Sequence, residues 1–243
     1  MQNRLVTDST LQTPNGLHRR YNHVRDRIRQ AEAGCRREPG STQLLAVSKT
    51  RSVDEIRALA GLGQRLFGEN YLQEAISKMG QLEDLNLEWH FIGRIQGNKT
   101  RQIAEYFHWV HSIASLKHAT RLSNQRPPHL PPLDVCLQVN TSGERTKEGH
   151  SENELTELLP AYAALPNIRV RGLMTIPAPV GGESARRHPF QQLRILRDRL
   201  RTDRLPLDTL SMGMSDDLEA AIAEGATLVR IGTAIFGPRQ YNQ

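Results

Sequence analysis

The sequence predicts an α/β fold, a single (β/α)8 TIM barrel with an extra N-terminal helix, and three observations lead there. Short apolar runs alternate with helical patterns eight times, the rhythm of parallel strands joined by crossover helices. The chain has 243 residues, and such a barrel needs about 250 as one unit. One further amphipathic helix precedes the first strand, where a barrel that closes strand eight onto strand one leaves an outer position to fill.

Residues 1–16 are polar and end in Pro14, Asn15 and Gly16, which reads as a loose leader before a barrel spanning 17–243. Leu17, Tyr21, Val24, Ile28 and Ala31 then recur at helical spacing, which predicts a helix over 17–34. Gln43–Ser48 (QLLAVS) is the first buried strand. Its helix covers about 53–63, with Ser52 as cap and Glu55 completing a capping box. Strand two is Arg65–Gly68 and its helix 70–80; strand three is Trp89–Ile92, with a helix near 98–106. Trp109–Ile113 is strand four, followed by a helix over 115–124. The segment RPPHLPP at 126–132 continues no regular element, because proline fixes φ and lacks a donor, so a rigid loop is expected. Leu133–Val139 is strand five, with a helix over 151–165. Ile168–Met174 is strand six, followed by a Gly/Pro-rich loop to 189 and an Arg-rich helix at 190–202. Thr209–Met212 is strand seven, with a helix over 216–224, and Leu228–Ile231 is strand eight. No eighth helix is expected after it, and the helix at 17–34 takes that place.

Composition narrows the class of function. Two cysteines, Cys35 and Cys136, make no disulfide framework, and a reducing cytoplasm is expected. Nothing approaches the roughly 18 apolar residues of a membrane span, and no apolar run marks a secretory signal. The net charge of +6 is uneven: residues 1–37 carry eight Arg against three acids, and 183–204 seven Arg against three acids. Solvated helix faces are the favoured reading of both segments, with nucleic-acid binding the alternative.

Reactive groups of a barrel sit at the C-terminal strand ends. Lys49 directly follows the first strand (AVSK), where desolvation favours the free amine that a Schiff base requires. The plainer reading is a lysine that snorkels to solvent. Ser211 and Ser215 in SMGMSDD follow strand seven, and Gly232 and Thr233 follow strand eight. Those two loops are the usual phosphate site of the fold, although each residue alone also reads as a cap or turn. An aldehyde carrying a phosphate would meet both ends, and pyridoxal 5'-phosphate (PLP) is such a molecule.

The chain resembles the PLP homeostasis proteins, relatives of the alanine racemase barrel (the fold type III PLP-binding barrel). The resemblance runs from about 43 to 241. It is carried by AVSKT at 46–50, FGENY at 67–71, WHFIG at 89–93, QVN at 138–140 and RGLM with IPAP across 171–179. SMGMSDDLEAAI at 211–222 and VRIGTAIFG at 229–237 complete it. It implies that Lys49 forms the Schiff base and that Ser211, Ser215, Gly232 and Thr233 bind phosphate. Arg230 would approach the pyridine nitrogen or the phosphate, and Asn70 would line the pocket. His90 and Met174 would contact the ring or simply pack the barrel. Arg94, Gly97 and His150 depart from the family pattern on loops placed at the barrel mouth. Lys147 is either a second aldehyde acceptor or a solvated loop lysine.

No metal set is expected: His108 and His111 are three apart without a completing Cys or carboxylate cluster. GRIQGNKT at 93–100 lacks the contiguous Gly-Lys-Thr of a phosphate loop, and Cys136 falls inside an apolar strand. The resemblance implies a cytoplasmic, monomeric carrier that stores PLP and delivers it to apo PLP-dependent enzymes, without strong catalysis, nucleic acid or membrane. A weak amino-acid racemase or lyase is the alternative. Racemisation needs a second base, which larger racemases take from an additional domain.

Overall fold

The computed structural model describes residues 14–142, 144, 147–178 and 181–238. Eight parallel strands close into a barrel in chain order: β1 (Gln43–Val47), β2 (Leu66–Glu69), β3 (Glu88–Phe91), β4 (Trp109–Ile113), β5 (Leu133–Gln138), β6 (Ile168–Met174), β7 (Thr209–Ser211) and β8 (Leu228–Ile231). The seam pairs β1 with β8, Leu45 lying opposite Arg230. Alternation along each strand splits the residues between two environments. On β4, Val110 enters the apolar layer beneath the helices, whereas His111 turns into the barrel.

The outer helices are α1 (Pro14–Gly34), α2 (Val53–Gly61), α3 (Leu72–Gln81), α4 (Thr100–Tyr106), α5 (Leu116–Gln125), α6 (Glu152–Ala163), α7 (Glu183–Leu200), α8 (Leu218–Ala223) and α9 (Thr233–Phe236). Ser52 caps α2 as expected, accepting from Glu55 N while the Glu55 carboxylate accepts from Ser52 N. Ser52→Ala should therefore cost about 1 kcal/mol in urea unfolding. An unchanged midpoint would show that water replaces the cap fully.

Helix α1 buries Leu17, Tyr21, Val24 and Ile28 and packs on α2, α8 and α9. Each fully buried aliphatic side chain contributes about 1.5–3 kcal/mol. This is the outer position expected for the N-terminal helix. Arg19, Arg25 and Arg29 are exposed, as expected of a solvated face, whereas Arg27 grips Glu219 with two bonds and Arg37, just beyond the helix, donates from Nη1 to Ile222 O and Ala226 O. On α7, Arg187 and Arg194 both pair with Glu224.

Three boundaries differ from expectation. The helix expected from 17 begins at Pro14, because proline suits a first turn whose N–H groups lack partners anyway. Residues 14–16 thus leave the leader, and 1–13 lie outside the described residues. Helix α7 begins at Glu183, with Pro189 inside it, seven residues before the expected start. An interior proline forfeits one helix bond, and here the burial of Pro189 and Phe190 offsets that loss. Finally, one helical turn, α9, does follow β8. The prolines at 126–132 form a loop, as expected, and Arg126 ties it down by donating to Ala104 O, Phe107 O and Pro131 O.

Candidate functional site

Lys49 lies in the turn directly after β1, half-buried at the C-terminal mouth. The backbone on both sides of it is pinned by α3. Lys78 Nζ donates to Ser48 O at 2.7 Å, to Glu69 Oε1 at 2.8 Å and to Glu74 Oε1 at 2.5 Å. The same Glu74 oxygen accepts from Thr50 N at 2.6 Å, and Thr50 adopts the left-handed conformation with φ of 62°. Ser48 Oγ also donates to Glu69 Oε1, at 2.7 Å. Burial pushes the Glu69 carboxyl above its ordinary value, and the Lys78 ammonium opposes that rise. Sequence reading missed Lys78 and Glu74, and it placed Glu69 only as a strand end within FGEN, without a role. The available signal was the i,i+4 Glu74–Lys78 pair on a helix beside FGEN.

The two expected phosphate loops do meet. Ser215 Oγ accepts from Ala234 N at 3.3 Å, which joins the loop after β7 to the turn after β8. A Cβ added at Gly232 would lie 3.4 Å from Val47 O, so that turn sits against the strand carrying Lys49. Ser215 and Gly232 are half-buried and Thr233 is exposed, which leaves them reachable from the mouth. Gly213 supports the loop with φ of 94°, where a Cβ would come within 2.6 Å of Ala221 Cβ.

Ser211 does not join them. It is fully buried within the barrel, and its Oγ is shared between Arg230 Nη1 and His111 Nδ1, each at 2.7 Å. The phosphate role expected for Ser211 therefore does not fit its position: no exposed atom remains, because Arg230 draws the hydroxyl inward. Arg230 is itself buried and also donates to Thr175 O at 2.9 Å. Burial lowers its pKa to about 10, with Asp217 opposing, so the guanidinium is charged at neutral pH.

Asn70 stands at the mouth beyond β2, and its Oδ1 is buried without a hydrogen-bond partner. A Cβ on Gly93 would come 2.2 Å from Asn70 O, so the glycine of WHFIG lets the two loops touch. An orphaned acceptor costs about 1–3 kcal/mol, and a donor from a bound molecule would relieve it. A mouth with an amine and a hydroxyl-lined turn thus fits a phosphorylated aldehyde.

The remaining candidates fall elsewhere. His90 is fully buried among Glu88 and His111, below the mouth, and Met174 packs inside the barrel. Cys136 is core, its thiol pushed up by burial. Lys147 pairs with Glu144 at 3.8 Å, and Arg94 pairs with Glu148 at 2.6 Å across the loops after β3 and β5. Gly97 has only Arg121 and His118 within 4 Å of an added Cβ. His150 is not a mouth residue: it is buried against α6, with Nε2 2.8 Å from Tyr162 OH. His108 Nδ1 accepts from Trp89 N, and no group of three or more potential metal ligands occurs among the described residues.

The alanine racemase N-terminal domain family matches residues 20–240. A pyridoxal phosphate homeostasis protein of Pseudomonas aeruginosa is 57% identical over 218 residues, 90% of this chain and 94% of the relative. The solved structure of PipY from Synechococcus elongatus with PLP bound superposes with a TM-score of 0.76 at 40% identity, covering 86% of this chain and all of that one. Alanine racemase from Corynebacterium glutamicum shares the fold, with a TM-score of 0.67 at 20% identity, and this chain spans 61% of it. This chain belongs to the pyridoxal phosphate homeostasis proteins, within the family of alanine racemase N-terminal barrels.

Proposed function

We propose that this protein binds PLP through Lys49 and acts as an intracellular store that hands the cofactor to apo PLP-dependent enzymes. The observation that carries this reading is the seam between β8 and β1, where the Ser215–Ala234 contact and Gly232 lie beside the strand that ends in Lys49. Close relatives point the same way, since one solved structure holds PLP and the curated relatives are named for its homeostasis.

The bound cofactor would supply an electrophilic aldehyde and an electron-withdrawing ring. Lys49 would hold the cofactor through its amine, with water as the leaving molecule, and hand-over would free that amine as an acceptor's lysine takes its place. Ser215, Gly232 and Thr233 hold the phosphate, and Asn70 lines the pocket. Arg230 would approach the pyridine nitrogen or the phosphate; at the nitrogen its positive charge would oppose a second one there and so disfavour carbanion chemistry. That favours carriage over turnover.

The setting is consistent with this role. Both cysteines are free thiols, as in a reducing cytoplasm, and no helix among the described residues is long and apolar enough to cross a membrane. Arg27 of α1 and Arg187 and Arg194 of α7 are already paired with Glu219 and Glu224, which favours the carrier over nucleic-acid binding. A monomer is the simplest carrier, and gel filtration tests it.

Loading the protein with PLP and mixing it with an apo PLP-dependent enzyme tests the reading. Activity should return to the acceptor faster than from the same free PLP concentration, and L-alanine in deuterated water should gain no Cα deuterium. Rapid deuterium exchange would favour the racemase, and failure to load would end the cofactor reading.

A further inference from the structure

A polar chain crosses the barrel interior and ends on Arg230. Glu88 Oε1 lies 3.0 Å from His90 Nε2, and His90 Nδ1 lies 2.8 Å from His111 Nε2. His111 Nδ1 lies 2.7 Å from Ser211 Oγ, which accepts from Arg230 Nη1 at 2.7 Å. The chain uses β3, β4, β7 and β8. Strands β4 and β7 are not neighbours in the closed sheet, so the His111–Ser211 contact spans the interior. His90, His111 and Ser211 are fully buried, whereas the Glu88 side chain is 42% exposed at the start of β3. The chain thereby runs from a solvent-reached carboxylate at the start of β3 to the buried Arg230.

The two ends dictate which way every proton points. A guanidinium can only donate and an ionised carboxylate can only accept. Ser211 Oγ accepts from Arg230, and among the described residues its own proton has His111 Nδ1 as the acceptor within reach. That nitrogen must then be bare, which puts the His111 proton on Nε2 and directs it to His90 Nδ1. His90 in turn carries its proton on Nε2 and gives it to Glu88. Each proton is used once, and both imidazoles are neutral. The opposite direction needs a protonated Glu88, yet the bond from His90 holds that carboxyl below its ordinary value. Burial lowers both histidines, in agreement with neutral rings. Trp109 stacks on His90 with centroids 5.5 Å apart and planes 6° from parallel, which fixes the ring orientation.

We infer that Glu88, His90, His111 and Ser211 form a one-way hydrogen-bonded chain that orients the Arg230 guanidinium toward the bound cofactor. They are positioning residues, acting through Arg230. The orienting role rests on the PLP reading above; the chain itself does not.

Imidazole 15N spectra of the full-length protein at neutral pH, with and without PLP, test the chain. Both His90 and His111 should be the Nε2–H tautomer in both samples. A ring carrying its proton on Nδ1, or carrying two protons, overturns it. Ser211→Ala tests the orienting role: PLP should bind about tenfold more weakly, as expected for losing a hydrogen bond to a charged group, and the absorbance maximum should shift. Wild-type affinity and spectrum in that variant would make the chain purely structural and overturn the orienting role. Wild-type protein that does not bind PLP would refute the cofactor reading, and with it the orienting role, while the tautomers still decide the chain.

Discussion

Lys49→Ala is expected to abolish the absorbance band near about 420 nm that PLP-loaded wild type should show between roughly 300 and 500 nm. Lys49 would be the atom source of the covalent link, and Lys78 cannot replace it, because its three N–H donors are already taken by Ser48 O, Glu69 and Glu74. Contacts from Ser215, Gly232, Thr233 and Asn70 remain in the variant, so weak noncovalent binding should persist. The dissociation constant should rise by roughly a hundredfold, at about 1.4 kcal/mol per decade. Lys49 is half-buried in a turn, so the thermal midpoint of the unloaded protein should move little. Borohydride reduction of the loaded wild type, followed by peptide mapping, should place the label on Lys49. A full-strength band in the variant, or a label mainly on Lys147, would reassign the attachment.

Lys78→Met should be the most destabilising single change at the mouth. It leaves the fully buried Glu69 carboxylate and the Ser48 carbonyl without their shared donor. Breaking a buried ion pair from one side costs about 3–5 kcal/mol. The loss should depend on pH in a fixed direction. Burial raises the folded pKa of Glu69, and removing Lys78 takes away the largest opposing influence. Folded protein then binds more protons than unfolded protein in the window above the ordinary carboxyl value, so stability falls as pH rises through it. Urea unfolding should show the variant less impaired at pH near about 5 than near about 8. Equal losses at both values would mean that Glu69 stays ionised or regains a partner. Because Lys78 and Glu74 brace the residues flanking Lys49, the surviving folded fraction should also load PLP more weakly.

Much of the scaffold was readable along the chain. The strand at Trp109–Ile113 and the helix cap at Ser52 are local facts, written in alternation and in a four-residue capping box. The start of α7 was not readable, since Pro189 ordinarily argues against a helix interior and only burial against the barrel overrides it. At the site, strand-end position singled out Lys49, Asn70, Ser215 and Gly232, and the structure groups Ser215 and Gly232 beside the Lys49 strand. Ser211 shows the limit. Four residues before Ser215 in one motif, it points into the barrel because strand alternation carries it to Arg230 and His111.

Local sequence therefore specifies the eight strands with the seven helices between them, the amphipathic α1 and the lysine at the first strand end, because periodicity, caps and turn residues act over a few positions. Closure of the barrel decides the partners of the polar groups. His111 and Ser211 are 100 residues apart along the chain yet share a hydrogen bond, and Glu88, His90 and Arg230 become one chain only inside the closed sheet. Buried polar groups must find partners wherever the fold brings them together, and no local pattern states which ones they will be.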